Sequence, residues 1–523
     1  MKTPCDEGLM LLGRVSVPCL PVARAWVLAA TILGSSMAFI DGTVVNVAVP
    51  TLQAAFHASV VDVQWVIESY GIFLSSLILA GGALGDLFGR RRMFLIGVAI
   101  FAVASAACGL ASSIHELIAA RCVQGIGAAL LVPGSLAIIS ASFDEESRGK
   151  AIGAWSGFTA ITTAFGPLLG GWLIQHASWR WAFFLNLPLA IAVIAISLWR
   201  VPESRSQAAG RVDWAGTVLA TAGLGGLVYG LIESAKVGWR SPQVYGTLIA
   251  GAAALISFPS VEEKVSSPMV PPALFKSRTF TGANLLTFFL YAAVGIFFFV
   301  FPLNLIQVQG YSPTATGAAA LPLILLLFVL SRWSGGLVVR YGPRLPLIVG
   351  PLIACVGFLI FAIPSITASY WKTFFPGFLV LGFGMAVSVA PLTTVVMNSV
   401  DRDRAGTASG VNNAVARIAS LLAVAVLGVV MVSAFRQKLD QGLANRTIPP
   451  DVRQLLDGNS IKLAALDVPA NLATDLRPAV HSSIRQAFIF AFRLMMWLCA
   501  ILAAVSALCA WRVIEPAADA PSP

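Results

Sequence analysis

The stretch "SSMAFIDGTVVNVAVP", Ser35 to Pro50, places one carboxylate inside a run that otherwise has the composition of a membrane-spanning helix. A charged side chain at the centre of a bilayer costs about 2.5–3.5 kcal/mol even on the insertion scales that give the lowest values. An isolated acid at Asp41 would therefore oppose insertion of the helix that carries it. The stretch predicts a membrane helix, and it predicts that its acid has a partner or a task.

The composition extends this prediction to the whole chain. The 523 residues are 58% hydrophobic and only 11% charged, whereas soluble domains carry about 25% charged residues. Apolar runs of about 20 residues, long enough to cross a bilayer, recur from Ala25 to Trp511. Because these runs are unbroken and do not alternate, they favour helices over the strands of a barrel. We therefore predict an all-α polytopic membrane protein.

The apolar runs predict fourteen spans, which start near residues 24, 62, 93, 114, 150, 180, 213, 242, 279, 314, 345, 372, 405 and 486. Nineteen Lys and Arg fall in the short segments on one side, and four fall in the short loops on the other. The positive-inside rule then predicts a multi-pass protein of the plasma (inner) membrane with both termini in the cytoplasm. Basic loops of this kind explain the net charge of +10 without nucleic-acid binding.

Two pairs of segments indicate an internal repeat. "GALGDLFGRR" (Gly82–Arg91) has a counterpart in "GGLVVRYGPR" (Gly335–Arg344), 253 residues later. "FDEESRGKAIG" (Phe143–Gly153) has one in "VDRDRAGTASG" (Val400–Gly410), 257 residues later. The nearly equal offsets predict two six-helix bundles, spans 1–6 and 9–14, plus two extra central helices. Parallel repeats of this kind are a transporter architecture, with the substrate site between the repeats near the midplane.

The repeat also sets the predicted domain boundaries. These are a cytoplasmic leader at 1–23, an N-terminal bundle at 24–205, an inserted helix pair at 206–262, a C-terminal bundle at 263–515 that includes a polar outer loop at 435–485, and a cytoplasmic tail at 516–523. The chain contains no GxxxxGK[ST] motif, and its seven cysteines and four histidines show no metal-binding spacing. We predict a protein that is not an enzyme and uses no metal or other cofactor.

Three ionisable residues are predicted to lie at one depth in the membrane. At 1.5 Å per residue, Asp41 lies about 13 Å below the outer face, and Glu68 and Arg121 lie about 10 Å below it. Burial disfavours the charged form of a carboxyl group, whereas a nearby arginine favours it. Two acids beside one base leave one carboxyl free to exchange a proton for a substrate, so the three residues are candidates for proton coupling. A static ion pair that only holds the bundle together is the alternative.

Three segments resemble signatures of the major facilitator superfamily: the loop between spans 2 and 3 in "GALGDLFGRRR" (Gly82–Arg92), span 4 in "RCVQGIGAAL" (Arg121–Leu130), and the span-5 antiporter signature in "AFGPLLGGWL" (Ala164–Leu173). Three more resemble its fourteen-span drug:proton antiporter branch: "IDGTVVNVAVP" (Ile40–Pro50), "WRWAFFLNLP" (Trp179–Pro188) and the W-V-x-[DE]-x-Y pattern of Trp65–Tyr70. The resemblance covers nearly the whole chain. It departs in the second half, where Val339 replaces the acid of the loop signature, and in the long outer loop.

The resemblance implies roles for two of these signatures. The loop signature is expected to latch the two halves through Gly82, Asp86, Gly89, Arg90 and Arg91. A loop that only sets topology and binds anionic lipid is the alternative. The span-5 signature is expected to be a flexible element that favours efflux, in which Gly166, Pro167, Gly170 and Gly171 interrupt the helix. A simple packing kink is the alternative.

Polar residues within other spans are candidates for the substrate cavity, with packing between helices as the alternative: Gln124, Asn412, Asn413 and Arg417. Span 9 carries an aromatic run that spreads over several helix faces, for which we predict mostly lipid contact: Phe288, Phe289, Tyr291, Phe297, Phe298, Phe299 and Phe301.

The resulting prediction is a secondary active transporter that works by alternating access. The proton gradient is its energy source, and its partners are the lipid bilayer and an amphipathic or cationic small molecule that it exports, as multidrug carriers do. A metabolite exporter or proton symporter of the same fold is one alternative, and a transceptor or scaffold without turnover is another. The sequence does not decide whether a periplasmic adaptor binds the outer loop.

Overall fold

The computed structural model describes residues 21–143, 145–205, 212–366, 368–400, 405–444, 448–466, 468 and 476–516. Within these ranges the chain is helical and contains no strand. The predicted fold class, an all-α membrane protein, is confirmed.

Fourteen helical segments in the described ranges are long and apolar enough to cross a membrane, as predicted. Spans 1 to 14 are Arg24–Phe56, Val60–Phe88, Arg90–Leu110, Ile114–Ser142, Ala151–His176, Trp181–Arg200, Trp214–Val237, Pro242–Glu262, Arg278–Val308, Pro313–Leu330, Arg344–Phe361, Tyr370–Asn398, Thr407–Leu443 and Arg477–Val513. The helices that carry spans 1, 5 and 13 begin slightly earlier, at Pro21, Glu145 and Ala405.

Several spans consist of more than one helical piece. Span 6 joins the helices Trp181–Phe184 and Asn186–Arg200, and span 10 joins Pro313–Ala319 to the first part of Leu321–Gly335. Spans 9 and 12 include wide helical turns with π geometry, Asn304–Val308 and Tyr370–Phe374. The short helices outside the spans are Pro272–Lys276, Leu337–Tyr341, Pro450–Gly458 and Ser460–Ala465.

The last span differs most from its predicted start. Its helix begins at Arg477, nine residues before the predicted 486, whereas the other thirteen spans begin within three residues of their predicted positions. The first turns of this helix carry His481 and Arg485, so hydropathy does not recognise them as part of an apolar run. The helix of span 13 likewise continues to Leu443. The predicted outer loop at 435–485 therefore begins and ends inside helices.

The described chain forms two compact units. The first contains the chain up to Val45, Val66–Gly225 and Ala250–Pro272, and the second contains Asn46–Trp65, Gly226–Ile249 and the chain from Ala273 onward. In the first unit, span 3 packs along span 4 and against span 6. In the second unit, span 14 packs along spans 9 and 11, span 9 also packs along span 13, and span 12 lies against spans 10 and 11.

Large apolar side chains are exposed along the spans in both units. Examples that are more than 60% exposed are Val103, Ile191, Leu198, Ile249, Ile256 and Val329. A soluble surface of this kind would aggregate, whereas a bilayer covers it. The exposed faces are therefore the lipid-facing surface of the protein.

The predicted lipid contact of the span-9 aromatic run is wrong for its second half. Phe297 and Phe301 are buried, and their rings pack against Phe361 with centroid distances of 4.8 and 5.6 Å. Phe374 and Phe378 complete this aromatic cluster in the second unit. Rings from spans 9, 11 and 12 meet here because spans that are distant in sequence pack side by side, and the sequence of span 9 alone does not contain that information.

Candidate functional site

The acid of the opening stretch has a buried partner. Asp41 on span 1 and Arg121 on span 4 are each about 1% exposed, and Arg121 Nη1 donates a hydrogen bond to Asp41 Oδ2 within their ion pair. A buried ion pair is tolerated when hydrogen bonds satisfy its remaining polar atoms. The sequence placed these two residues at one depth, and the structure brings them together.

Neutral polar side chains surround this ion pair. Gln124 Nε2 donates to Asp41 Oδ1 at 2.9 Å, and Arg121 Nη1 donates to Gln124 Oε1 at 2.7 Å. Asn186 Nδ2 lies 3.5 Å from Asp41 Oδ1 and donates to Ser105 Oγ at 2.9 Å. Gln124, Asn186 and Ser105 are fully buried. Gln124, a candidate for the substrate cavity, is thus a direct partner of the ion pair.

Arg121 is fixed by span 2 as well. Its Nε donates to the backbone carbonyl of Val66 at 3.0 Å, and its guanidinium lies 4.2 Å from the centroid of the Tyr70 ring. Tyr70 belongs to the W-V-x-[DE]-x-Y pattern, and its hydroxyl donates to the carbonyl of Ala38 on span 1 at 3.4 Å. Spans 1, 2 and 4 therefore meet at one arginine.

Glu68 has a different environment from Asp41. It is about 1% exposed, and neither of its carboxyl oxygens has a hydrogen-bond partner among the residues that the structure describes. It follows Val66 by two residues on span 2, so it lies near the level of Arg121 without joining the network. The predicted trio therefore consists of one ion pair and one separate buried acid.

The loop signature forms an internal network in the first unit. Arg90 binds Asp86 through Nε and Nη2 at 2.8 and 2.7 Å. Arg91 Nη1 donates to the carbonyl of Val201 at 2.8 Å. Glu203 accepts hydrogen bonds from the backbone N–H groups of Arg91 and Arg92, each at 3.0 Å. The carboxylate of Glu203 thus caps the first turn of the span-3 helix, where negative charge is favourable.

Two glycines of the loop signature have different surroundings. Gly89 has φ +111°, and a Cβ there would lie 2.8 Å from a carboxyl oxygen of Glu203. Glycine is required at this position by both its backbone conformation and the close carboxylate. Gly82 would bring a Cβ only to ordinary contact with Pro133.

The span-5 signature lies where spans 1 and 5 approach closely. A Cβ on Gly166 would lie 2.2 Å from Thr43 Oγ1, and one on Gly170 would lie 2.5 Å from Val44 Cγ1. Gly171 is also buried. The expected interruption of the helix is not observed, because Glu145–His176 is one continuous helix that includes Pro167. Membrane helices tolerate proline when neighbouring Ser and Thr side chains and small backbone adjustments satisfy the freed carbonyl.

The candidate cavity residues on span 13 differ in their contacts and burial. Asn412 Nδ2 donates to Thr287 Oγ1 at 2.7 Å and to Asn284 Oδ1 at 3.1 Å, both on span 9. Asn413 is exposed and donates to the carbonyl of Ser409 on its own helix. Arg417 is half-buried. Asn412 therefore joins spans 9 and 13, whereas Asn413 makes its hydrogen bond within span 13.

Sequence reasoning missed three residues of these networks. Asn186 lies within the "WRWAFFLNLP" segment, and its signal is that a buried amide in a span is a polar group that needs partners. Ser105 gives no comparable signal, because serine is common in membrane helices and hydrogen-bonds its own backbone. Glu203 follows the end of span 6, and only its position in space shows that it caps span 3.

The chain matches known transporters over most of its length. The sequence model of the Major Facilitator Superfamily matches residues 31–424. The chain is 36% identical over 434 residues to the multidrug resistance protein Stp of Mycobacterium tuberculosis (strain CDC 1551 / Oshkosh), a match that covers 82% of this chain and 79% of that protein. It is 32% identical over 514 residues to the tetracenomycin C resistance and export protein of Streptomyces glaucescens, covering 95% and 94%.

Solved structures support the fold. A bacterial homologue of the human lysosomal transporter Spinster, in an inward-facing conformation, matches with a TM-score of 0.67 and 18% identity over 96% of this chain and all of that chain. The xylose transporter XylE from E. coli, in an inward-open conformation, matches with a TM-score of 0.56 and 15% identity over 94% and 96%.

Proposed function

The chain belongs to the Major Facilitator Superfamily, and we propose that this membrane transporter exports amphipathic or cationic small molecules in exchange for protons by alternating access. It is not an enzyme, as its relatives are transporters. The matched relatives from Mycobacterium tuberculosis and Streptomyces glaucescens are named for multidrug resistance and for resistance and export. These names favour efflux and a small organic substrate for this chain as well.

Proton coupling is proposed from the contrast between the two buried acids. Asp41 is paired with Arg121 and accepts a further hydrogen bond from Gln124, so its polar atoms have partners. Glu68 is buried without a donor in the described part of the chain. A buried ionised carboxylate without partners is costly, so Glu68 holds a proton in this arrangement. Glu68 is the proposed proton carrier, and its environment is the single observation that carries the coupling.

Arg121, which pairs with Asp41, also contacts the span that carries Glu68. Its Nε donates to the carbonyl of Val66, two residues before Glu68. A shift of span 2 that admits water to Glu68 would also move this carbonyl, and the geometry around Arg121 would change with it. Loss of the proton on one side of the membrane would then accompany a rearrangement of the Asp41–Arg121 pair. The three residues act together in this proposal.

Everted membrane vesicles test the proposal directly. With an acidic lumen, we expect the vesicles to take up a fluorescent organic cation such as ethidium. Quenching of the dye's fluorescence measures this uptake, and collapse of the pH gradient should abolish it. Glu68→Gln should abolish gradient-driven uptake. Glu263→Gln is the matched control, because it makes the same chemical change at an exposed acid.

Three results would contradict the proposal. Uptake that does not depend on the gradient would remove proton coupling, and full activity of Glu68→Gln would remove its proposed carrier. Release of preloaded dye on acidification of the lumen would indicate symport instead of antiport.

A further inference from the structure

The two halves of the chain carry the same short segment at the end of their last span. "LWRVPE" (Leu198–Glu203) ends span 6, and "AWRVIE" (Ala510–Glu515) ends span 14. Each segment faces the loop-signature region of its own unit, through Arg91 in the first and Arg344 in the second. The repeat pairs Arg91 with Arg344 and Gly89 with Gly342, and both glycines have positive φ, +111° and +73°. The two sites can therefore be compared residue by residue.

In the first unit a carboxylate of the chain occupies the start of the span-3 helix. Glu203 accepts hydrogen bonds from two backbone N–H groups of the first turn and lies near the Arg91 guanidinium, with Nε to Oε2 at 3.9 Å. Arg200 stacks over the Trp199 ring at 3.8 Å. The site combines a helix N-terminus, a guanidinium and an anion.

The second unit also has a helix N-terminus and a guanidinium at this position, but its acid, Glu515, is placed differently. Arg344 begins the span-11 helix, and its Nη2 donates to the carbonyl of Trp511. Arg512 stacks over the Trp511 ring at 4.7 Å. Glu515, the counterpart of Glu203, is exposed and makes no hydrogen bond or ion pair with any residue that the structure describes.

A cavity of about 260 Å³ lies at this position, and its lining contains no acidic side chain. It is lined by Tyr341, Gly342, Arg344, Leu345, Ile348, Trp511 and Pro516. Arg344 Nε is buried and has no hydrogen-bond partner in the described ranges. Arg340 lies over the Tyr341 ring at 5.2 Å and adds a second positive charge beside the cavity. The counterpart of Asp86 is Val339, which is 90% exposed, so the acid that pairs with arginine in the first unit is missing here.

We propose that this cavity binds the phosphate of an anionic membrane glycerophospholipid. The cavity lies where span 11 begins and span 14 ends. The basic residues predict that this side is cytoplasmic, where anionic lipid headgroups attract basic side chains. The start of the span-11 helix and the guanidinium of Arg344, which lines the cavity, supply donors to a phosphate. Leu345, Ile348 and the Trp511 ring supply apolar walls for the glycerol and the first acyl carbons. This combination favours a lipid over a free anion.

Lipid titration of the purified protein in detergent tests the site. Dioctanoyl phosphatidylglycerol should raise the midpoint of thermal unfolding, whereas dioctanoyl phosphatidylcholine and glycerol 3-phosphate should raise it much less. Arg344→Gln should increase the half-saturating phosphatidylglycerol concentration about fivefold, the effect of one arginine near an anionic surface. Lys276→Gln is the matched control, because it removes an exposed basic charge from the same unit outside the cavity, and it should leave the titration unchanged.

Further variants keep the test decisive. Arg344→Lys keeps the charge but removes the planar guanidinium with its several N–H donors, and it should give an intermediate shift even where the Gln variant fails to fold. Glu515→Gln should leave the unfolding midpoint of the lipid-free protein unchanged, and a lower midpoint would mean that Glu515 itself occupies the site. The proposal is also overturned if both Arg344 variants titrate as the parent protein does, or if glycerol 3-phosphate matches phosphatidylglycerol.

Discussion

Two buried carboxylates in the first unit have opposite environments. Asp41 is held by Arg121, Gln124 and Asn186, so its charge is compensated at every contact. Glu68 is equally buried but has no donor among the described residues. Replacing one member of a buried ion pair leaves the other member charged and buried without its counter-ion, which destabilises the protein. Replacing an isolated neutral acid by its amide breaks no such interaction. The two residues should therefore respond differently to the same kind of substitution.

We expect Asp41→Asn to destabilise the protein by about 3–5 kcal/mol, because it leaves the Arg121 guanidinium buried without its counter-ion. Glu68→Gln should cost about 1 kcal/mol or less, because an amide of the same shape breaks no hydrogen bond of the described chain. Unfolding of both variants in the same detergent measures the contrast, with Glu263→Gln as the exposed control. Equal losses at Asp41 and Glu68 would show that Glu68 has a charged partner.

At the scale of elements, the close approach of spans 1 and 5 depends on the absence of side chains. Gly166 and Gly170 face Thr43 and Val44 at distances that leave no room for a Cβ. Without a hydrophobic driving force between helices in lipid, such close packing is a main source of their association. The span-5 signature is therefore a packing surface on a continuous helix, and any role in transport has to act through that surface.

Gly170→Ala tests this surface. Its Cβ would lie 2.5, 3.0 and 3.1 Å from three carbons of the Val44 side chain, and overpacking of this kind costs about 1–3 kcal/mol. Gly157→Ala is the control on the same helix, because a Cβ there meets no atom within 4 Å, and alanine should be neutral or stabilising by up to about 1 kcal/mol. Thermal unfolding and dye transport are measured for both variants. Similar behaviour of the two would contradict a close span 1–span 5 contact.

For the complete chain, the internal repeat and the distribution of basic residues predict a transporter with an even number of spans. The fourteen spans of the described ranges place Arg24 and Val513 on the same side of the membrane. The excess of Lys and Arg in the segments on that side predicts that it is cytoplasmic. This orientation predicts that Asp41, Glu68 and Arg121 lie in the half of the membrane nearer the outside.

Labelling of introduced cysteines tests this orientation. Arg240→Cys, in the exposed loop after span 7, should react with a membrane-impermeant maleimide in intact cells, and Arg205→Cys, in the exposed segment after span 6, should react only after lysis. Both replace an exposed arginine, so the side of the membrane is the main difference between them. The reverse pattern would place the termini outside. The parent protein, with its seven cysteines, supplies the background.

The sequence alone determined the features that depend on local composition. The number of spans and thirteen of their starts follow from apolar runs, because insertion into a bilayer depends on consecutive residues. Membership in the family follows from short motifs. The start of span 14 was predicted wrongly for the same reason, since its first turns are polar. Hydropathy describes the part of a helix that lies in lipid, and not the helix itself.

Which side chains meet depends on how the helices pack, and that became visible only in three dimensions. Asp41 and Arg121 are 80 residues apart, and Glu203 and the Arg91 amide that it caps are 112 apart. Nothing in either local segment shows that Asp41 is paired while Glu68 is alone, or that Phe297 packs against Phe361 instead of lipid. The physical reason is that one helix presents several faces, and the packing of its neighbours determines what each face contacts.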